Sequence, residues 1–311
     1  MIKTPYYLID KSKLKQNMER IAYVREHSGA KALLALKCFA TWSVFDFMSE
    51  YMDGTTSSSL NEVKLGRLKF GGETHAYSVA YADDEIEEVL SNADKIIFNS
   101  ISQLTRFSDA SKNTVRGLRL NPGVSSSDFL IADPSRPFSR LGEWDAEKIA
   151  AVLPLISGFM IHNNCENGDF SLFDDMLGQI EERFGHLLQQ VEWVSLGGGI
   201  HFTGDDYPVD DFCARLKAFS EKYGVQVYLE PGEAAITLST SLEVSVLDTL
   251  YNGKQLAVVD SSIEAHMLDL LIYRQDAKME PCDGAHQYMV CGKSCLAGDI
   301  FGEFQFDREL S

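Results

Sequence analysis

The sequence predicts an α/β protein: a (β/α)8 TIM barrel over residues 11–240, and a mostly β, barrel-like domain made by residues 1–10 together with 241–311. Three observations lead there. Short apolar runs alternate with helix-period segments eight times between Lys31 and Glu230. From about Leu242 onward the chain becomes strand-rich. Reactive side chains stand at the ends of the apolar runs, where barrels of this kind carry their active sites.

Tyr6–Ile9 reads as a lone strand before the first helix, to be grouped with the C-terminal strands. In KALLALKCFA, residues 31–40, the apolar residues Ala32 to Leu36 lead straight into Lys37. That pattern predicts a strand buried on both faces with a lysine at its tip. An apolar-periodic segment over 42–52, the GTTSSS stretch and the helix-like LNEVKLGRLKFG follow, then strand HAYSVAYA and a helix over 84–92. Strand KIIFNS, a helix over 102–112, strand VRGLRLN, a loop with Pro122, Pro134 and Pro137, and a helix over 147–156 continue the series. Strand GFMIHNN, a long helix over 171–190, strand VEWVSLGGG, a helix over 209–223 and strand VQVYLE complete it. Beyond them LEVSVLDTLY, QLAVVDSS, HQYMVCG and FGEFQF read as strands, with Asn252-Gly253 as a hairpin turn.

Composition narrows the function. With 311 residues, 45% hydrophobic and 24% charged, the chain can bury a large core. A formal net charge of -18 argues against nucleic acid or an anionic membrane as partner; it suits a cationic ligand, or simply solubility. No apolar run approaches the roughly 18 residues of a membrane span, and the opening MIKTPYYLIDKSK lacks a signal peptide's apolar stretch, so a cytoplasmic location is expected. The six cysteines, at 38, 165, 213, 282, 291 and 295, form no paired CxxC element, so neither a zinc site nor a disulfide framework is indicated. Seven histidines include no HxH pair, which sets a metal-dependent hydrolase aside; no metal is expected.

The predicted strand tips carry Lys37, Ser57 to Ser59, Tyr81, Asn99, Arg119 with Asn121, His162 with Asn163 and Asn164, Gly197 to Gly199, and Glu230. Taken singly, each has an ordinary reading as well: a surface lysine, a core histidine, a tight glycine turn, a surface glutamate. Taken together on one rim they form a constellation. A run of glycines lets backbone N–H groups approach a phosphate closely. Pro231-Gly232 would fix the Glu230 carboxylate, and a buried Arg119 needs an anion or a hydrogen-bonded network. A covalent lysine, a phosphate cradle and an opposed carboxylate suit pyridoxal phosphate.

Those residues lie in LALKCFATW, DGTTSSSLNEVKLG, GGETHAYSV, GLRLNPGVS, HNNCEN, SLGGGIHFT, LEPGEA, DSSIEAHMLD and GKSCLAGD. On these segments, which span nearly the whole chain, it resembles the pyridoxal-phosphate decarboxylases of the alanine racemase and ornithine/diaminopimelate decarboxylase class (fold type III). Within that class it is most similar to the branch that decarboxylates carboxynorspermidine and carboxyspermidine in polyamine biosynthesis. The resemblance implies Lys37 as the Schiff-base lysine, His162 stacked on the cofactor ring, Gly197, Gly198 and Gly199 at the phosphate, Glu230 on the ring nitrogen and Arg119 beneath the ring. Cys295 matches a cysteine that enters the partner subunit's site and protonates the carbanion, which implies a homodimer; by residue type alone it reads as a buried strand cysteine. Asp299 is expected to support the Cys295 loop. Glu233, Glu264 and Asp269 are candidates to bind the cationic tail of a carboxylated polyamine, with His266 lining the same pocket; solvated surface acids are the other reading.

Two departures from the wider class stand out. Glu233 occupies the place, after EPG, where many members have a phosphate-binding arginine; the polyamine branch shares the glutamate, which points it at the substrate amine. Members of the class also continue past FDRELS through an AGYT-like tyrosine near the cofactor, so the β domain as written is expected to be truncated. A related decarboxylase of diaminopimelate, arginine or ornithine is the alternative, as is a non-catalytic pyridoxal-phosphate carrier. Glu233 and Leu296 speak against diaminopimelate, and the presence of GKSCLAGD speaks against a carrier.

Overall fold

The computed structural model describes residues 2–279 and 283–311; Cys282 lies outside them. In chain order the first elements are β1 (Tyr6–Ile9), α1 (Lys11–Ser28), β2 (Lys31–Ala35), α2 (Phe45–Met48), β3 (Gly54–Ser57), α3 (Leu60–Leu65), β4 (Glu73–Ser78), α4 (Ile86–Asn92), β5 (Lys95–Phe98) and α5 (Ile101–Arg106). Then come β6 (Val115–Leu120), α6 (Ala146–Val152), β7 (Gly158–Ile161), α7 (Phe170–Leu188), β8 (Trp193–Ser195), α8 (Val209–Tyr223), β9 (Gln226–Leu229) and α9 (Glu233–Ile236). The remainder is β10 (Thr240–Glu243), β11 (Val246–Tyr251), β12 (Gln255–Val259), α10 (Ile263–His266), α11 (Leu268–Tyr273), β13 (His286–Cys291) and β14 (Ile300–Phe306). Two compact units result, Lys11–Thr237 and Met1–Asp10 with Leu238–Ser311.

The first unit is a closed barrel of β2 to β9, every neighbouring pair parallel, with β2 and β9 joining the ends. Its helices follow from their sequences. Along α7 the buried residues Phe173, Met176, Leu177, Ile180, Phe184, Leu187 and Leu188 recur at three- and four-residue spacing, and Asp169 caps the first turn through the Ser171 amide. Helix α8 ends at Gly224, whose φ of 68° is the left-handed conformation that glycine adopts without penalty.

Inside the barrel, strand alternation sets layers. Leu33, Tyr77, Ile97, Met160, Trp193 and Tyr228 pack into one core cluster. The Trp193 indole fits because Gly117 and Gly158 face it: a Cβ at Gly158 would stand 2.1 Å from the ring. Toward the strand starts the core gives way to ions. The Glu73 carboxylate accepts from Lys31, from Lys95 at 2.6 Å and from the Tyr228 hydroxyl at 2.9 Å, and lies 3.1 Å from His75 Nε2. In barrels this end serves stability, the other end chemistry.

Several element boundaries differ from expectation for physical reasons. Segment 42–52 is broken into a 3₁₀ turn over Trp42–Val44 and the short α2. Strand β4 stops at Ser78, so Tyr81 is no strand tip; it sits buried in the following loop with its hydroxyl on the Ile97 carbonyl at 3.3 Å. Strand β8 stops at Ser195 because Gly197 and Gly199 take φ values of 71° and 80°, which a strand does not.

In the second unit β11, β12, β13 and β14 make one sheet in that order, and β1 pairs antiparallel with β10. The barrel-like closure expected there is not made among the described residues: β11 and β14 are both sheet edges. The hairpin at Asn252-Gly253 joins β11 to β12 with Tyr251 opposite Gln255 and Gly253 at φ 71°. Strand β13 runs parallel to β12, and the connection between them carries α10 and α11.

Candidate active site

The same alternation that builds the core builds a recess at the strand ends. Two residues beyond Leu33, His75, Gly117, Met160, Trp193 and Tyr228 stand Ala35, Tyr77, Arg119, His162, Ser195 and Glu230. Lys37, Thr56, Tyr77, Arg119, His162, Gly198 and Glu230 line one recess. Lys37 belongs to the turn after β2 and is exposed; its Nζ lies 3.5 Å from His162 Nε2. The other face of that imidazole is fixed: Nδ1 accepts the Gly198 backbone N–H at 3.2 Å. Burial, reinforced by the positive charges of Lys37 and Arg119, holds His162 well below the usual imidazole range, so the ring is neutral. With Nδ1 an acceptor, Nε2 carries the proton, so its 3.5 Å approach to the Lys37 ammonium sets donor against donor and is a contact rather than a hydrogen bond.

Glu230, 5% exposed, follows β9. Ser195 Oγ donates to its Oε1 at 2.5 Å and accepts the Gly197 N–H at 3.2 Å. Burial pushes the Glu230 carboxyl up, while the Ser195 hydroxyl and the charges of Lys37 and Arg119 pull it down. Arg119, 3% exposed, donates from Nη1 to the Tyr77 hydroxyl at 2.6 Å and from Nη2 to the His162 carbonyl at 3.1 Å; its buried Nε has no protein partner among the described residues. The Tyr77 hydroxyl passes the chain on to Asn99 Oδ1 at 2.9 Å. At the glycine turn space is absent: a Cβ on Gly198 would meet the Glu230 carbonyl at 2.2 Å, and one on Gly199 the Asn164 carbonyl at 2.2 Å.

Lys37, Arg119, His162, Gly198 and Glu230 are thus gathered at one recess, with Gly197 and Gly199 flanking Gly198. Glu233 opens α9, exposed, with Oε2 3.5 Å from His201 Nε2. The remaining expected residues belong to the second unit. Glu264 and His266 are on α10, Asp269 on α11, and Cys295 is exposed on the loop between β13 and β14. There Ser261 Oγ is 3.0 Å from His266 Nδ1. Tip-by-tip reading missed Tyr77, Thr56 and Ser195, each one alternation short of the tip. Asn163, Asn164 and Asn167 bond among themselves and to the Val124 carbonyl, supporting the turn rather than lining the recess. No group of three His, Cys, Asp or Glu able to hold a metal occurs among the described residues.

No family model matches the chain. Individual relatives do. It is 64% identical over 310 residues, 100% of this chain and 85% of the relative, to a carboxynorspermidine/carboxyspermidine decarboxylase of Herminiimonas arsenicoxydans. The protein of the same description from Campylobacter jejuni is 38% identical over 324 residues, 99% of this chain and 85% of the relative. A crystal structure of carboxynorspermidine decarboxylase from Campylobacter jejuni, complexed with norspermidine, matches with a TM-score of 0.90 and 38% identity over 100% of this chain and 86% of that one. A closed parallel barrel, a separate mostly β unit and these likenesses define a carboxy-lyase of the barrel decarboxylase class. Within that class, the chain belongs to the carboxynorspermidine/carboxyspermidine decarboxylase family.

Proposed function

We propose that the chain decarboxylates carboxynorspermidine and carboxyspermidine to norspermidine and spermidine, with pyridoxal 5'-phosphate in the recess at the barrel strand ends, as a cytoplasmic homodimer. The observation that carries this is the facing of Lys37 and a neutral, backbone-fixed His162 across a recess whose floor holds the buried Glu230. The recess fits the cofactor chemically. It offers a rim amine, a buried carboxylate, an unpartnered guanidinium Nε and a glycine turn with no room for side chains. When bound, the cofactor supplies a sink for the electron pair left behind as the substrate loses CO2.

The chain's own residues do the rest. Lys37 is the residue that would hold the cofactor, through its side-chain amine, and would give up that place to the amine of the substrate. Glu230, raised by burial yet held toward its ionised form by Ser195 and two nearby cations, holds a proton at the ring nitrogen. His162 would bound the ring on one side, and its own orientation is locked by the Gly198 amide. Arg119, anchored by Tyr77 and the His162 carbonyl, keeps a positive charge beside the same pocket. Gly197, Gly198 and Gly199 approach the phosphate through their backbone. Cys295, entering the partner subunit's site, would supply there the proton that takes the place of the lost carboxylate. Glu233, Glu264 and Asp269 are the acids offered to the ammonium groups of the polyamine tail, with His266 as a further substrate-binding residue, a use for part of the net charge of -18.

The test is optical. Purified protein titrated with pyridoxal phosphate should develop the long-wavelength absorption of a lysine-bound cofactor, and Lys37→Ala should abolish it. An unchanged spectrum in the variant would remove Lys37 from the chemistry.

A further inference from the structure

The loop of residues 292–299 leaves β13 after Cys291 and rejoins β14 at Ile300, the two residues being paired. Its tip, at Cys295 and Leu296, is exposed, but Asp299 is only 3% exposed. The two oxygens of that carboxylate serve different segments. Oδ1 accepts the Ile263 backbone N–H at 2.9 Å, and Oδ2 accepts the Ser294 backbone N–H at 3.1 Å. Ile263 is the first residue of α10, whose N-cap Ser262 makes no side-chain cap of its own. Ser294 immediately precedes Cys295. The backbone reinforces the tie: Gly292 N–H reaches the Asp299 carbonyl at 2.9 Å, and Lys293 N–H reaches the Ser261 carbonyl at 2.9 Å. Residue 292 must be small, since a Cβ there would lie 2.2 Å from both carboxylate oxygens.

We infer that Asp299 is a positioning residue for decarboxylation, holding the Cys295 loop and the Glu264–Asp269 segment in one frame, so that proton delivery by Cys295 to the partner subunit's site and tail binding by Glu264 and Asp269 depend on one carboxylate. The inference rests on the roles proposed above for Cys295 and Glu264. A carboxylate can accept from both segments at once. An amide cannot, because it offers one acceptor and one donor, and the donor must face an N–H. Asp299→Asn therefore frees one segment and loosens the other through the shared side chain. Gly292→Ala displaces the carboxylate without removing it and carries the same expectation.

The experiment is steady-state CO2 release from carboxynorspermidine, with backbone amide exchange measured on the holoenzyme over 261–267 and 292–298. Asp299→Asn and Gly292→Ala should each lower kcat and raise KM by about tenfold, the worth of one hydrogen bond to a charged group. Both segments should exchange faster, and Asp299→Asn should lower kcat no further in a Cys295→Ala background. Unchanged kcat and KM in a folded Asp299→Asn enzyme, or faster exchange in one segment alone, would overturn the inference. Wild-type kinetics in Cys295→Ala and Glu264→Gln would instead overturn the roles on which it rests, and is read independently of Asp299.

Discussion

Ser195 gives the sharpest test of the recess. It is fully buried, and its hydroxyl joins the Glu230 carboxylate, 2.5 Å away, to the Gly197 amide. Ser195→Ala removes a hydrogen bond to a charged group, at a cost of about 1.5–3 kcal/mol. In a Glu230→Gln background the same change removes a bond between neutral groups, costing about 0.5–1.5 kcal/mol. A coupling of about 1–1.5 kcal/mol should therefore appear in a double-mutant cycle. The sign with pH follows from Glu230. Its folded value lies above its unfolded value, so between the two the folded state binds more protons and stability falls as pH rises. Without Ser195 that rise in the folded value grows, so Ser195→Ala should cost more at pH 7.5 than at pH 5. Urea unfolding of the cofactor-free protein, followed by circular dichroism in both backgrounds, measures this. Equal costs in the two backgrounds would refute the claim that Ser195 supports a charge.

Acid should loosen the other end of the barrel. Burial lowers His75 to about 4 against the pull of Glu73, and hydrogen bonding, first from His75 and then from Lys31 and Lys95, holds Glu73 well below the carboxylate range. Both depressed groups contribute stability above their unfolded values and lose it as pH falls, His75 from about 6.5 downward and Glu73 from about 4.3 downward. Urea midpoints should decline across that first interval in the native protein and stay level in His75→Phe; a native midpoint flat from pH 7 to 4.5 would contradict this. Gly198→Ala should cost about 1–3 kcal/mol, because its Cβ meets backbone rather than a movable side chain. It should also release pyridoxal phosphate on dialysis; full retention would sink the proposed glycine cradle.

Much of this site could be read from the chain because barrel strands alternate strictly. Arg119, His162 and Glu230 each fall two residues past an interior residue, Gly117, Met160 or Tyr228, and Lys37 is marked instead by standing straight after the apolar run that forms β2. Tyr77 and Ser195 obey the same rule from His75 and Trp193, but they stand inside the strands, where a search confined to tips does not look. Strand β3, Gly-Thr-Thr-Ser, is fully buried without one aliphatic side chain, so only the alternation around it marks it as a strand. The parallel pairing of β12 with β13 depends on a crossover through α10 and α11, a long-range choice that no local pattern encodes. Support of the Cys295 loop by Asp299 is expected from the resemblance, but its bond to Ile263, 36 residues away, has no signal in the sequence.

The central claim is that this barrel removes CO2 from a carboxylated polyamine. Its most direct test is CO2 release by the purified protein from carboxynorspermidine, carboxyspermidine and diaminopimelate, measured side by side with pyridoxal phosphate present. The account predicts the highest kcat/KM for one of the two carboxypolyamines. Diaminopimelate as the best substrate would contradict it.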